Sequence, residues 1–471
     1  MFLSKLEGYI VFAIFFIATI TVTFYNKSKK FNIDTFLISN RDIPWFINGV
    51  SIAATWIWGP ALFLSSMQAF EDGYVGLFWF LLPNFTCFYL YVLFAEKFRK
   101  LMPNGYTLAE FMKVSYNNSK LVHVTYIILI LLCQITALVL NSVIGAKLIS
   151  TITGINTNTV ILLIITITTA YSLISGFKAS VLTDCLQMII IYIFIVTIIP
   201  LVLYKTGGIS TLASNLTGIN NKLSLIDLDT LKFFAIPTFI TLWTGPITDQ
   251  MFFQRVMGNR RNSIKKSFIS ASFIYIIVPL SLSLLGFVGT YLIKNDSLQI
   301  SDNQLIGGIV ISSLFGKIII GFYLIMILAG LCSTIDSALC ATSSIGFIDI
   351  YDNYLKKHSP HISQVTISRL FMIVISVMSI TIAFLKPNLK EMFFIIGTIR
   401  ASGFFPTILT LLKKNTLPYL FPIIIGSAIF VSLPLSIYAN IYNIPNLVPL
   451  SSLSALIFPF IIYYVGYKIK N

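Results

Sequence analysis

The chain has 471 residues, 56% of them hydrophobic, 14% aromatic and only 10% charged, with a mean hydropathy of +0.88. Water-soluble domains carry about 25% charged residues, so the composition excludes a soluble enzyme or scaffold and points to an all-α polytopic membrane protein. The formal net charge of +15 does not indicate a nucleic-acid partner, because the basic residues lie between apolar runs rather than on one domain; the partner implied is the lipid bilayer.

Five scattered Cys without CxxC spacing give neither a disulfide framework nor a zinc site, and His123, His358 and His361 are too few and too separated for metal chemistry. No nucleophile–base pair or metal-ligand motif is recognisable, so no enzyme activity and no cofactor are expected.

A helix needs about 20 apolar residues to cross a bilayer. About 13 such runs are expected, near 6–25, 46–70, 74–96, 122–151, 156–175, 180–204, 232–254, 267–293, 316–347, 363–385, 391–412, 417–439 and 446–467. The first run has no small-residue cleavage site and reads as a span, not a signal peptide. The segment 304–315 is ambiguous and fits an outer-surface helix.

Charge orients the set. Lys27, Lys29, Lys30 and Arg41 follow the first span; Lys97, Arg99, Lys100, Lys113 and Lys120 the third. Arg255, Arg260, Arg261, Lys265 and Lys266 follow the seventh, and Lys356, Lys357, Lys413 and Lys414 follow the ninth and eleventh. The intervening loops Glu71–Gly73, Thr153–Asn158 and Asn440–Asn446 are poor in Lys and Arg. The positive-inside rule then predicts a plasma-membrane protein with its N-terminus outside and its C-terminus, bearing Lys468 and Lys470, in the cytoplasm.

Two spans are interrupted in the same way. The second contains Thr55-Trp56-Ile57-Trp58-Gly59-Pro60 and the seventh Trp243-Thr244-Gly245-Pro246. Proline lacks an N–H and clashes with the preceding turn, and glycine tolerates unusual dihedrals, so each Gly-Pro is expected to unwind its helix. Irregular backbone at membrane depth survives only inside protein or along a wet cavity. Matching breaks five spans apart suggest an inverted repeat with a midplane site. The domains expected are 1–45 (first span and basic loop), 46–205 (repeat 1), 206–231 (outer loop), 232–414 (repeat 2) and 415–471 (two peripheral spans), within one transmembrane unit. Gly59, Pro60 and Pro246 are the candidate hinges.

The ninth span carries the densest polar cluster. Ser333, Asp336, Ser337 and Cys340 follow i, i+3, i+4, i+7 spacing, so one helix face presents three oxygen-bearing side chains and then a thiol. A carboxylate at this depth costs roughly 2.5–3.5 kcal/mol on insertion scales and marks a functional site. Oxygen ligands without thiolate or imidazole suit a hard cation.

Elsewhere, Asp184 in the sixth span is either a helix-end carboxylate or, as preferred here, a cation or proton ligand. Gln134 and Asn141 share a face of the fourth span; interhelical hydrogen bonding is the default and a pocket contact the alternative. Arg400 either snorkels, pairs with an Asp or faces substrate. Asp249 and Gln250 fit a cytoplasmic gate network or a solvated helix end, with Arg255 close by. Trp56, Trp58 and Trp243 surround the breaks and, with Thr55, Thr244 and Gly245, make a candidate pocket for a small polar or cationic solute.

These residues resemble the sodium:solute symporter family over essentially the whole chain. The resemblance rests on S-x-A-A-T-W-x-W-G-P with Ser65-Ser66, Gly73 and Gly76, and on Ala170-Tyr-Ser-Leu-Ile-Ser-Gly-Phe-Lys-Ala with Thr183-Asp184 and Gln187. Asp249-Gln250…Gln254-Arg255 and Ser333-Thr334-x-Asp336-Ser337…Ser343-Ser344…Asp349-Ile350-Tyr351 complete it, while Ser175 stands where the family signature has its first glycine. T-W-x-W and Ser-Ser look closest to the urea-transporter-like branch. The resemblance implies a LeuT-type five-plus-five inverted repeat and sodium-driven symport of a small organic solute, urea-like or otherwise polar, by alternating access. It places sodium on the carbonyls of Ala54, Ile57 and Gly330 and the hydroxyls of Ser333 and Thr334, and a second ion or a proton on Asp184, Asp336 and Ser337. Trp56 replaces the carboxylate of proline-transporting members, which argues against that substrate. Proton coupling in the same fold is one alternative, and a channel or sensor keeping the scaffold is the other.

Overall fold

The computed structural model describes residues 2–25, 32–356, 362–442, 444 and 446–471. Lys27, Lys29, Lys30, Lys357, His358 and His361 lie outside the described residues, as does the side chain of Ser175. The described residues form an all-helical bundle without strands.

In chain order the helices are α1 (Lys5–Tyr25), α2 (Trp45–Trp56), α3 (Pro60–Glu71), α4 (Gly73–Leu101), the short α5 (Leu108–Ser115), α6 (Lys120–Thr153), α7 (Thr157–Ile174) and α8 (Gly176–Lys205). They continue as α9 (Ile236–Thr248), α10 (Gln250–Gly258), α11 (Ile264–Lys294), α12 (Ile306–Leu314), α13 (Lys317–Leu355), α14 (Gln364–Ala383), α15 (Leu389–Leu411), α16 (Phe421–Ile441) and α17 (Leu447–Lys470). Local chemistry sets many of the ends. Ser119 caps the start of α6, whose last turn stops at Gly154 in the left-handed region (φ 71°). Asn388 accepts from the Lys390 N–H at 2.9 Å to begin α15.

Among the described residues, 11 helices are long and apolar enough to cross a membrane, or 12 with the bent α2–α3 pair counted as one span. The expected count of about 13 is not reached on this measure, because the seventh expected span is divided into two short helices. The segment 304–315 holds the short apolar helix Asn303–Leu314.

The first expected break is where the sequence places it. α2 and α3 meet at 70°, with Ile57 at φ −84°, ψ 72° outside the helical region and Pro60 starting α3, where its missing N–H is harmless. The second falls later than expected. Gly245 and Pro246 remain inside α9, and the chain breaks at Asp249 (φ −106°, ψ 127°), whose carboxylate caps α10 by accepting from the Met251 N–H at 3.0 Å. A proline one turn from a helix end loses only its own N–H bond, so the helix carries it to the next capping residue.

The two ends of the bundle are separately knitted. At one end the Ile43 N–H donates to Gly258 O at 3.1 Å, and Arg41 donates to Asn104 O and Gly105 O at 2.7 and 2.9 Å. At the other, the 206–231 loop lies over the α3–α4 junction: the N–H groups of Ile219 and Asn220 donate to the carbonyls of Phe70 and Glu71 at 2.8 and 2.9 Å. Between these ends α13 packs against α8, α6 and α2, almost wholly buried from Ile327 to Ser344.

A candidate ion and substrate site at the α2–α3 break

α13 lies directly on the break. A Cβ on Gly330 would stand 3.3 Å from Ile57 O and 2.8 Å from Leu62 Cδ1, so the glycine lets α13 lie close against the break. One turn on, Thr334 Oγ1 donates to Thr55 O at 3.0 Å. The Ile57 N–H is shared between Ala53 O and Ala54 O, both at 3.0 Å. The Ile57 carbonyl facing Gly330 and the Thr334 hydroxyl on Thr55 O therefore belong to one buried contact between α13 and the last turn of α2, while Ala54 O accepts from the Ile57 N–H inside that turn. Ser333 is turned elsewhere: its hydroxyl donates to Asp184 Oδ1 at 2.5 Å. Its lone pairs remain for a cation, but its proton belongs to the second cluster.

That second cluster joins α2, α8, α10 and α13. Asp184 Oδ2 accepts from Ser51 Oγ at 2.5 Å and from Arg255 Nη2 at 3.0 Å. Arg255 also donates to Ser51 Oγ at 3.2 Å, Met251 O at 3.2 Å and Ser337 Oγ at 2.8 Å, and its guanidinium lies 5.6 Å from the Phe177 ring centre. Asp336 takes hydroxyl donors only, from Ser180 (2.7 Å), Thr183 (3.2 Å) and Ser337 (3.3 Å). Thr55 Oγ1 and Ser337 Oγ, 2.9 Å apart, link the two clusters. Asp184, Asp336 and Ser337 thus come together as expected. Arg255, expected at a gate, is instead the counter-cation of this cluster, fully buried. With two carboxylates to one guanidinium, the cluster has room for one more positive charge, as a metal cation or a proton. Hydroxyl and carboxylate oxygens are the donor set a small hard cation takes.

The aromatic wall lies beyond the break. Trp56 and Trp58 stack with centroids 5.7 Å apart and planes 27° apart, flanked by Phe88, Phe252 and Phe393. Trp56 Nε1 donates to Asn84 Oδ1 at 2.9 Å. Arg400 of α15 faces this wall and does not snorkel: its guanidinium carbon stands 5.7 and 5.2 Å from the two indoles, and Nη2 donates to Asp249 Oδ2 at 2.6 Å. Gln134 Nε2 donates to the other Asp249 oxygen at 3.0 Å. Gly245 closes the wall, since a Cβ there would lie 2.8 Å from Trp56 Cη2 and 3.4 Å from Arg400 Nη1.

Two expected pocket residues stand outside this group. Trp243 is 37% exposed on the outer face of the bundle and donates to Thr86 Oγ1 at 3.0 Å. It lies two residues from Gly245 on a continuous helix, and such positions point to opposite faces. Thr244 is buried, with its hydroxyl spent on Ile240 O at 2.7 Å. Asp249 belongs to the aromatic site, whereas Gln250 contributes to a seal against the start of α5, accepting from the Leu108 N–H at 2.9 Å and donating to Tyr106 O at 2.9 Å. His123 joins that seal through Asp349 Oδ1 at 2.8 Å. Asn84 was not singled out by sequence, and Ser51 appeared only as the first residue of a motif; Asn141 makes the interhelical hydrogen bond taken as its default, to the Gly59 N–H at the break, and the Ser180-Thr183-Asp184 spacing was the available signal for the shared α8 face.

A sodium:solute symporter family model matches residues 36–412, most of the chain. The chain belongs to the sodium:solute symporter family. This family member is 24% identical over 393 residues to the osmoregulated proline transporter OpuE of Bacillus subtilis, covering 82% of this chain and 79% of that one. It is 23% identical to a sodium/pantothenate symporter of Haemophilus influenzae, over 98% of this chain and 95% of that protein. A probable urea active transporter of Schizosaccharomyces pombe is 21% identical, over 70% of this chain but 53% of its own length. Among solved structures, a substrate-bound, outward-open Na+-coupled sialic acid symporter superposes with a TM-score of 0.75 at 19% identity, covering 98% of each chain. The fold of this family member is accordingly the LeuT-type repeat with two broken helices, and its class is transporter rather than enzyme.

Proposed function

We propose that the protein is a sodium-coupled symporter that imports a small organic solute by alternating access. The observation that carries this reading is the Thr334–Thr55 bond together with the contact of Gly330 on Ile57. A cation held there ties the broken α2 to α13, two elements of different repeats. It can shift the outward–inward equilibrium only by its difference in affinity for the two states. The sodium gradient supplies the driving force, to which an inside-negative potential adds about 2.3 kcal/mol per charge per 100 mV. In this reading Thr55, Trp56, Trp58, Gln134, Gly245, Asp249 and Arg400 hold the solute, and the N-terminus faces outward. The test is uptake by proteoliposomes: import of a solute should require an inward sodium gradient and stop when choline replaces sodium. Import that ignores this exchange ends the reading.

Proton coupling is the second reading, and Asp336 favours it. This carboxylate has hydroxyl partners but no cation within its own shell of contacts, so it can take a proton as readily as a metal ion. Uptake driven by an acid-outside pH gradient without sodium would establish it in place of the first.

A further inference from the structure

The aromatic site has an uneven stock of hydrogen-bonding atoms. Asp249 is largely satisfied: Oδ2 accepts from Arg400, and Oδ1 accepts from Gln134 Nε2 and from the Met251 N–H, which leaves one position on Oδ2. Arg400 is not. Its Nε and Nη1 have no acceptor although the residue is 1% exposed, and Trp58 Nε1, on the indole stacked beside it, has none either. Against these unpaired donors stand one unpaired side-chain carbonyl, Gln134 Oε1, and the Tyr91 hydroxyl, on the Phe268 side of the wall, which can donate or accept. Native proteins rarely leave so many buried donors around one group without a partner, and such atoms mark where a ligand supplies the missing half.

We propose that Arg400 is the specificity-determining residue and that the transported solute is a small organic acid. Its carboxylate takes a free N–H of Arg400 together with the Trp58 N–H. Its carbon body lies on the Trp56 and Trp58 faces, and a hydroxyl or amide N–H donates to Gln134 Oε1. Guanidinium and carboxylate match in charge and in the geometry of their hydrogen bonds. The same count disfavours two other classes. An amino acid brings an ammonium group with three donors, and the side chains offer Gln134 Oε1 and one position on Asp249 Oδ2 to meet them. Urea brings four N–H donors to the same two acceptors and one carbonyl oxygen to several donors.

Charge on the approach agrees. A cavity of about 210 Å³ is lined by Lys147, Lys386, Leu140, Ile144 and Leu389 among others, and no carboxylate lines it. Leu140, Ile144 and Leu389 also pack at Gly59, next to Trp58, so this cavity and the aromatic site are separated by one layer of aliphatic side chains. Lys147 pairs with Asp302 beside it, while Lys386 is exposed. Field lines in such a mouth draw anions inward.

This inference rests on the symport reading, and the experiment separates the two. The full-length protein is screened by thermal shift, with and without sodium, against two- to eight-carbon hydroxy and acylamino acids. Each acid is paired with its own primary amide, and proline and urea are added as zwitterionic and neutral probes respectively. At least one acid should stabilise the protein, with its amide at least tenfold weaker. Arg400→Gln should erase the acid response and keep the response to sodium alone. If Arg400→Gln does not fold, the R400Q/D249N pair removes the stranded charge, and Trp58→Phe, which deletes one N–H and keeps the ring, should weaken the acid three- to tenfold. Amides matching their acids, stabilisation by urea or proline instead, no response to any acid, or an acid response surviving Arg400→Gln would each overturn the proposal. Acid selectivity through Arg400 without any sodium effect would sink the coupling reading and leave this one standing.

Discussion

Asn141 Oδ1 accepts a hydrogen bond from the Gly59 N–H at 2.7 Å, across the gap between α6 and the first residue beyond the break. The Asn141 amide nitrogen is held in turn by Ala137 O at 2.7 Å. The unwound backbone is therefore secured by a side chain from outside its own helix, the compensation that an irregular segment at this depth requires. Asn141→Leu should strand the Gly59 N–H and cost about 1–3 kcal/mol, read as a lower thermal midpoint in detergent. An unchanged midpoint would mean the break needs no such support.

Asp184 and Arg255 should show strong coupling. Removing either partner leaves an uncompensated buried charge, worth roughly 3–5 kcal/mol, while removing both is far milder. Asp184→Ala and Arg255→Met are each expected to lower yield and thermal stability sharply, and the double variant to recover a large part. Additive losses in the cycle would show that the pair is not a unit.

Thr334 and Ser333 should separate in their effects. Thr334→Ala removes the hydroxyl at the break and should raise the sodium concentration for half-maximal uptake by tenfold or more. Ser333→Ala takes a donor from Asp184 and should also alter the second cluster, seen as a changed pH dependence of transport. Equal behaviour of the two variants would argue that the two clusters are one site.

Asp336→Asn distinguishes the coupling modes. With two cations carried, the sodium dependence of uptake should lose its sigmoidal form in this variant. With a proton carried, the variant should lose pH-driven uptake and keep its binding of solute. A variant indistinguishable from the wild type would remove Asp336 from coupling altogether.

The 206–231 loop has a pH window of its own. Asp227 accepts from Lys222 Nζ at 2.7 Å and from the Thr230 N–H at 2.8 Å, and these contacts, Lys222 first, hold its carboxyl at about 2, against 3.8 ordinarily. A depressed carboxyl stabilises above its unfolded value, and the contribution is lost as pH falls through the folded one. Pepsin cleavage within 215–230 should accelerate between pH 4 and about 2, and Asp227→Asn should loosen the loop already at neutral pH. A cleavage rate flat across that window would discount the contact.

Much of this arrangement was legible in the sequence, for identifiable reasons. Gly59-Pro60 marked a true break because Pro60 can begin a helix and Asn141 is present to hold the freed N–H. The same dipeptide at Gly245-Pro246 misled, since Asp249, a capping residue three positions on, decides where the chain turns. Trp56 and Trp58 share a site only because the backbone between them leaves the helix at Ile57, whereas Trp243 sits on a regular helix and is carried away from Gly245. The roles of Arg255 and Arg400 were not readable. Whether a basic side chain snorkels or pairs depends on which carboxylate a distant helix brings within 3 Å, and one chain's residue order does not encode that distance.

Gly176 joins α7 to α8 at φ 62°, ψ −147°, and a Cβ there would stand 2.5 Å from Phe36 O. L-residues avoid that region of backbone space, and a junction of one residue leaves no slack. Any side chain at 176 would have to push the Phe36 backbone aside, so the corner from which α8 carries Asp184 toward Ser333 is held by the absence of a single methyl group.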